Sequence, residues 1–333
     1  TMSNITNAQN PFYGQYHTPH GTVPFDRIET EHYEPAILEG IKLQNAEIEA
    51  IIQNPEKADF SNTIEAFEES GELLDKVVAV FGNMLSAETN DDLQELAQKI
   101  MPLLSEHSNN ITLNEKLFAR VKEVYNQKET LQLTQEQKQL LENAYNSFIR
   151  HGANLEGEAR EEYRRLTTEL SKLTLTFSEN NLKETNAYQM LLTKKESLAG
   201  LPEIIIEAAA ETAKNEEKEG WAFTLHAPSY IPFMTYSDNR DLRQKLYMAY
   251  NTKCTHDNEF NNIDIVKKIA NTRMKIAQLL GYKDYAEYTL KKRMAENSKS
   301  VYKLLNQLLE AYTPTAQQEY NCLLYTSPSP RDS

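Results

Sequence analysis

The chain has 333 residues, with 35 Lys and Arg against 49 Asp and Glu, a formal net charge of −14. That balance argues against general binding to nucleic acid or to anionic membrane, since both need clustered cations. Apolar residues make up 40% and charged residues 25%, ordinary shares for a globular chain, and no run approaches the roughly 18 apolar residues of a membrane span.

Gly occurs only 10 times, well below the usual share of ~7%. Phosphate-cradling loops and turn-dense β-sandwiches therefore have little material, and an all-α fold is expected. Cys254 and Cys322 make no disulfide framework. The start, TMSNITNAQNPFYG, lacks the charged-then-apolar pattern of a leader. Met2 reads as the start of a cytoplasmic protein; if Thr1 is the scar of a removed leader, the periplasm is the alternative.

Residues 1–30 read as an extended arm, because NPFYGQYHTPHGTVPF carries Pro11, Pro19 and Pro24 and no helical period. Its aromatics Phe12, Tyr13, Tyr16 and Phe25 are expected to pack on the body. Residues 31–185 read as a helical domain. Ile37, Leu38, Ile41, Ile48 and Ile52 form one stripe, ended by Pro55. Ile64, Phe67, Gly71, Leu74, Val78, Phe81 and Leu85 form the seam of one long helix, with Ser61 or Asn62 as its N-cap. Asn90 and Asn114 open further helices, and Thr134 with Gln137 is a capping box. Gly157 to Glu184 carries a second long seam, expected to pair antiparallel with the first.

Residues 186–321 begin with AYQMLL and WAFTL, the two convincing strand candidates, flanking a helix with Pro202 at its first position. The second strand is expected to lead through Pro228 and Pro232 into a helix capped by Asp238. Ile263 to Leu280 forms a helix ended by Gly281, a short one opens at Asp284, and Ser298 caps the last. Residues 322–333 break the pattern: CLLYTSPSPRD reads as the translation of a transposon-end sequencing adapter, so a non-native, unstructured tail is expected there and the natural chain is expected to continue past Asn321.

The seven histidines are His17, His20, His32, His107, His151, His226 and His256. No H-E-x-x-H occurs, and Pro19 denies His17 and His20 the helical i, i+4 geometry of a zinc pair. His107 reads as a capping or solvated residue near a helix end. Carboxylate pairs such as Glu161–Glu162 sit in charge-rich surroundings and read as solvated helix faces. Cys254 and His256 carry no marked third partner, so a buried thiol is the better reading. Arg240 and Arg243, near Tyr236, could bind a carboxylate, although pairing with Asp238 and Asp241 is the simpler expectation. No catalytic, cofactor-binding or metal-ligating residue is assigned on these grounds.

PSYIPFMTYSDNRDLRQKLYMAYNTK and the following NNIDIVKKIANTRMKIAQLLGYKDYAEYTLKKRMAEN resemble the signature region of the M3 zinc metallopeptidases: thimet oligopeptidase, oligopeptidase A and the bacterial peptidyl-dipeptidases. Upstream, FDRIETEHYEPAI, FIRHGANL and LTLTFSENNLKETNAY are similar to the same family in the same order. The resemblance implies a mostly helical enzyme split by a deep channel, acting on short peptides as a monomer. Zinc is held by two His and a downstream Glu, and the motif Glu activates water. None of those groups occurs before Asn321, so the chain reads as the amino-terminal part of such an enzyme, stopping short of its zinc site and inactive by itself. The opening NPFYGQYHTPHGTVPFDRIETEHY favours a peptidyl-dipeptidase releasing C-terminal dipeptides. An oligopeptidase A-like endopeptidase is the alternative, and a non-enzymatic helical scaffold is the rival from a different class.

Overall fold

The computed structural model describes residues 10–326. Two compact units emerge, Thr1–Thr272 and Arg273–Ser333. Helix accounts for 72% of the structure, so the all-α expectation holds. The helices of the first unit are α1 (Thr30–Gln53), α2 (Ala66–Glu68), α3 (Glu72–Ala87), α4 (Asp91–Thr112), α5 (Glu115–Asn126), α6 (Gln135–Arg150), α7 (Gly157–Ala187), α8 (Glu203–Asn215), α9 (Ala227–Tyr236) and α10 (Arg240–Asn251). Helix α11 (Ile263–Leu279) runs across the boundary, and α12 (Tyr285–Leu290) and α13 (Ser298–Thr326) follow. Strands β1 (Gln189–Leu192) and β2 (Trp221–Thr224) pair antiparallel, with Met190 opposite Phe223.

Of the arm, residues 1–9 lie outside the described set. The remainder turns back on α1 and α3: Phe12 is fully buried, 5.3 Å from the Tyr33 ring, and Lys76 Nζ donates to the Gly14 carbonyl at 3.0 Å. Phe25, in contrast, is half exposed. Tyr13 packs on the same apolar cluster as Phe12 and Tyr16 lies under the Lys76 ammonium at 4.6 Å, so three of the four rings pack on the body and Phe25 does not.

The single long helix expected from Ile64 to Leu85 is divided. A π-helical turn, Phe60–Glu65, is capped by Asp59, whose side chain accepts the Asn62 N–H at 2.7 Å. Neither Ser61 nor Asn62 is the cap; Asn62 instead returns its amide oxygen to the Asp59 N–H at 3.0 Å. The break falls at Gly71, where φ is +82° and an added Cβ would lie 2.3 Å from Gln44 Nε2. A left-handed residue ends one helix and starts the next.

The expected pairing of the two long seams does not occur either. Helix α3 packs on α1, and α7 packs on α4. Seam spacing defines which face is buried, while the choice of partner is tertiary. His107 is buried rather than capping or solvated: its Nε2 meets Gln44 Oε1 at 2.7 Å, and burial pushes the imidazole pKa down.

Three apolar clusters result. One joins α1, α5 and α6 around Leu117, Val121, Leu141 and Phe148. A second joins the arm, α1, α3 and α4 around Phe12, Ile37, Val77 and Ile100. The third packs the β1–β2 pair with α8, α9 and α10 around Phe223, Phe233 and Leu246.

In the second unit, Asn297 rather than Ser298 caps α13, its Oδ1 accepting the Ser300 N–H at 2.9 Å. The helix continues through Cys322–Thr326, where disorder was expected. Leu323 and Leu324 extend the helical pattern, and helix extension costs far less than nucleation; residues 327–333 lie outside the described set. Leu305, Leu309 and Tyr312 share a face and are exposed by 51, 65 and 65%. A contiguous apolar face of this kind drives association. At tens of micromolar the chain is expected to sediment faster than its 38.3 kDa monomer. Leu305→Glu with Leu309→Glu should restore the monomer; unchanged sedimentation of the double variant would rule this face out.

Candidate functional site

The third cluster positions the side chains with chemical content. Its base is the strand pair: Gly220, at φ +117°, lets the β2 end pass the Leu192 carbonyl, where a Cβ would come within 2.3 Å. From β2 the chain enters α9 directly. His226 precedes the helix, and its ring bridges Thr224 Oγ1 at 3.1 Å and Asn186 Oδ1 at 3.0 Å.

The strand-to-loop reading of Pro228 and Pro232 is corrected here, because both lie in α9. Pro228 falls in the first turn, where a missing N–H is harmless. Pro232 sits inside the helix, compensated by Phe233, which is fully buried with its ring 4.7 Å from Phe223. Tyr230 stacks on Tyr250 of α10 at 4.2 Å. The cap of α10 is Asn239, not Asp238: the Asn239 side chain accepts the Leu242 N–H at 3.1 Å. Asp238 is held elsewhere, its N–H donating to the Ala199 carbonyl at 2.9 Å and its carboxylate lying against Gly200.

Two clefts flank α10. One, about 390 Å³ and open, is lined by Met234, Arg240, Arg243, Gln244, Tyr247 and Met248. The expected pairing of the arginines with Asp238 and Asp241 is absent. Among the described residues Arg240 has no ion pair or hydrogen bond, and Arg243 donates only to the Ser237 carbonyl.

The other cleft, about 460 Å³, is lined by Glu184, Tyr188, Leu225, Met248, Thr252 and His256 among others. At its edge Glu184, near the end of α7, clasps the loop after α10. Its carboxylate accepts the Cys254 N–H, His256 Nδ1 at 3.0 Å and Asn258 Nδ2 at 3.3 Å. Asn262 adds a second tie, donating to the Phe177 carbonyl at 2.9 Å. Burial alone would raise the Glu184 carboxyl, but these donors hold it below its ordinary value. The Cys254 thiol is pushed up to about 11 by burial and by the neighbouring carboxylate. Cys254 is thus a buried thiol, as expected, and no thiolate nucleophile at neutral pH. Sequence reasoning missed Glu184 altogether. It lies 70 residues from Cys254, and nothing local marks it.

The histidines remain dispersed. His17 and His20 lie in the exposed arm, His32 bonds the Glu29 N–H at 2.9 Å, and His151 ends α6 with Nδ1 2.7 Å from the Ser147 carbonyl. Among the described residues no group of three or more His, Cys, Asp or Glu could hold a metal ion. These residues therefore do not fit a zinc site, and no zinc-dependent step can be written on them. Among the same residues no helix is long and apolar enough to cross a membrane.

The family model of Peptidase family M3 matches residues 233–326, from Phe233 in the core of this site to the end of α13. Oligopeptidase A of Salmonella typhimurium is 30% identical over 314 residues, covering 93% of this chain and 46% of that protein. Dipeptidyl carboxypeptidase of Escherichia coli K12 is 33% identical over 313 residues, covering 94% of this chain and 46% of that protein. Dipeptidyl carboxypeptidase of Salmonella typhimurium is 34% identical over 290 residues, covering 87% and 43%. The chain spans about half the length of the curated relatives it matches. With the signature segment forming α9 and α10 and the similarity running over some nine-tenths of its length, the chain belongs to the M3 family of zinc metallopeptidases.

Proposed function

We propose that this chain is the amino-terminal share of a zinc-dependent peptidyl-dipeptidase, which releases C-terminal dipeptides from short peptides, and that the chain alone hydrolyses nothing. The observation that carries this reading is the 33% identity, over 94% of the chain, to a protein named dipeptidyl carboxypeptidase. Zinc and its ligands would come from the remaining length, since the residues described here offer no ligand set. What this part supplies is wall: the α9–α10 face, where Tyr236, Tyr247 and Met248 each leave about half their surface in solvent. Exposed aromatic and thioether surface of that kind suits unfolded peptide of varied sequence.

The test uses fluorogenic short peptides, with free or amidated C-termini, on this chain and on the longer reading frame, with zinc and with chelator. The longer protein is expected to release dipeptides from free C-termini and to leave amidated peptides intact; this chain is expected to be inactive. Internal cleavage of amidated peptides would shift the assignment to an endopeptidase of the oligopeptidase A kind. Chelator-sensitive hydrolysis by this chain alone would overturn the second half of the reading.

A further inference from the structure

On α10, among the described residues, Arg240 is left without a partner and Arg243 with a single carbonyl, in a chain with 49 acids and 35 bases. Arg160, Arg164 and Arg165 each serve the fold: Arg160 pairs with Glu115 at 2.5 Å, Arg164 donates to Asn110 at 2.6 Å, and Arg165 pairs with Glu162 and Glu169. Carboxylates hold Arg27, Arg160 and Arg165. Arg240 has found none among the described residues, and Arg243 spends one donor on the Ser237 carbonyl. The two acids nearest in sequence do not compete: Asp238 is turned to Gly200, and Asp241 makes no ion pair with either arginine.

Both arginines line one open cleft of about 390 Å³, one turn apart on α10. Gln244 and Tyr247 add polar atoms to the same wall, and Met234 and Met248 add apolar surface. A guanidinium presents planar, paired N–H donors that match the two oxygens of a carboxylate. The apolar lining next to it suits the side chains on either side of such a group. The helix end is not what draws the anion, since Asn239 already caps it.

We infer that the Arg240–Arg243 cleft binds a carboxylate of a short peptide, with Gln244 and Tyr247 lining the seat and Met234 and Met248 taking the adjoining residues. The identity of the ligand as peptide rests on the proposed function; the binding of carboxylate does not. The carboxylate has two sources, the C-terminus or an acidic side chain, and a three-peptide panel separates them.

Dye-labelled pentapeptides of Ala and Leu would be titrated by fluorescence anisotropy against the 333-residue chain. One carries a free C-terminus, one a C-terminal amide, and one an amide with Glu at the fourth position. The free-acid peptide is expected to bind at least tenfold tighter than the plain amide, with the preference shrinking as salt rises. The Glu peptide matching the free acid would assign the seat to side-chain carboxylates; matching the plain amide would assign it to C-termini. Arg240→Gln should remove most of the preference. Arg240 makes no hydrogen bond or ion pair among the described residues, so the fold should be unaffected, with circular dichroism as the check. Arg243→Lys keeps the charge but loses the fork, and should weaken the free acid while sparing the amide. Equal binding of all three peptides, no binding of any, or a preference that survives Arg240→Gln would overturn the inference. A carboxylate preference in this chain, alongside an inactive longer protein, would sink the peptidase reading and leave this one standing.

Discussion

Phe233→Ala is expected to destabilise the β1–β2 and α8–α10 core by about 3–5 kcal/mol, the usual cost of truncating a fully buried phenylalanine. The ring is completely buried among Met190, Leu198, Phe223 and Leu246, with an edge contact to Phe223 at 4.7 Å. Deleting it removes apolar burial and leaves a cavity between a helix and a strand pair that cannot close freely. Trp221, the single tryptophan, lies on β2 in the same cluster and reports the transition by fluorescence in urea. Ile231→Ala is the control. Ile231 is 57% exposed, and its loss should cost less than about 0.5 kcal/mol. The contrast also tests the secondary structure. In an extended segment residues 231 and 233 share a face, whereas in a helix they point roughly 200° apart. Equal midpoint shifts for the two variants would contradict the helical assignment of Ala227–Tyr236.

That segment shows where sequence reading runs out. Features set by neighbouring residues were legible. Asn90, Asn114 and Thr134 cap their helices through hydrogen bonds three residues long. The strand pair lies at the two runs expected, although only β2, with Trp221, Phe223 and Thr224, is rich in strand formers. Helix α9 was hidden by its prolines, which weigh against a helix locally and are outvoted by burial of Phe233. Gly71 was legible as a small residue in a seam, but neither its left-handed φ nor the close approach of Gln44 on α1 has a local signal. The pairing of α1 with α3 and of α4 with α7 has no local signature. Of the candidate site, Arg240, Arg243 and Tyr236 could be read from the sequence. That the arginines lack acidic partners could not, because it depends on Asp238 turning to Gly200.

Glu184→Ala is expected to cost about 1.5–3 kcal/mol, as loss of a charged acceptor leaves the buried Cys254 N–H unmet while the exposed His256 and Asn258 turn to water. The Glu184 side chain is only 13% exposed and gathers three donors from the loop after α10. One is the N–H of Cys254, itself at φ +59°, a left-handed conformation that a non-glycine residue holds only when its surroundings impose it. Without the carboxylate that conformation loses its reason. Glu184→Gln keeps an acceptor oxygen but not the charge and should cost roughly half as much. The pH dependence has a definite sign. The folded-state pKa of Glu184 is lowered, because the donors outweigh the burial that would raise it. Its contribution is therefore complete above the unfolded carboxylate value of roughly 4.3. It shrinks below that and is lost as pH falls through the folded value. Urea midpoints of the wild type and Glu184→Gln should thus differ at pH 7 and converge towards pH 3. A difference that stays constant with pH would show that the carboxylate is not the clasp. Thiol labelling gives an independent readout. Cys254 is buried and its thiol pushed up to about 11, while Cys322 is exposed. At neutral pH the wild type should label quickly at Cys322 alone, and Glu184→Ala should open Cys254 to the reagent, since both the shielding loop and the neighbouring negative charge are gone.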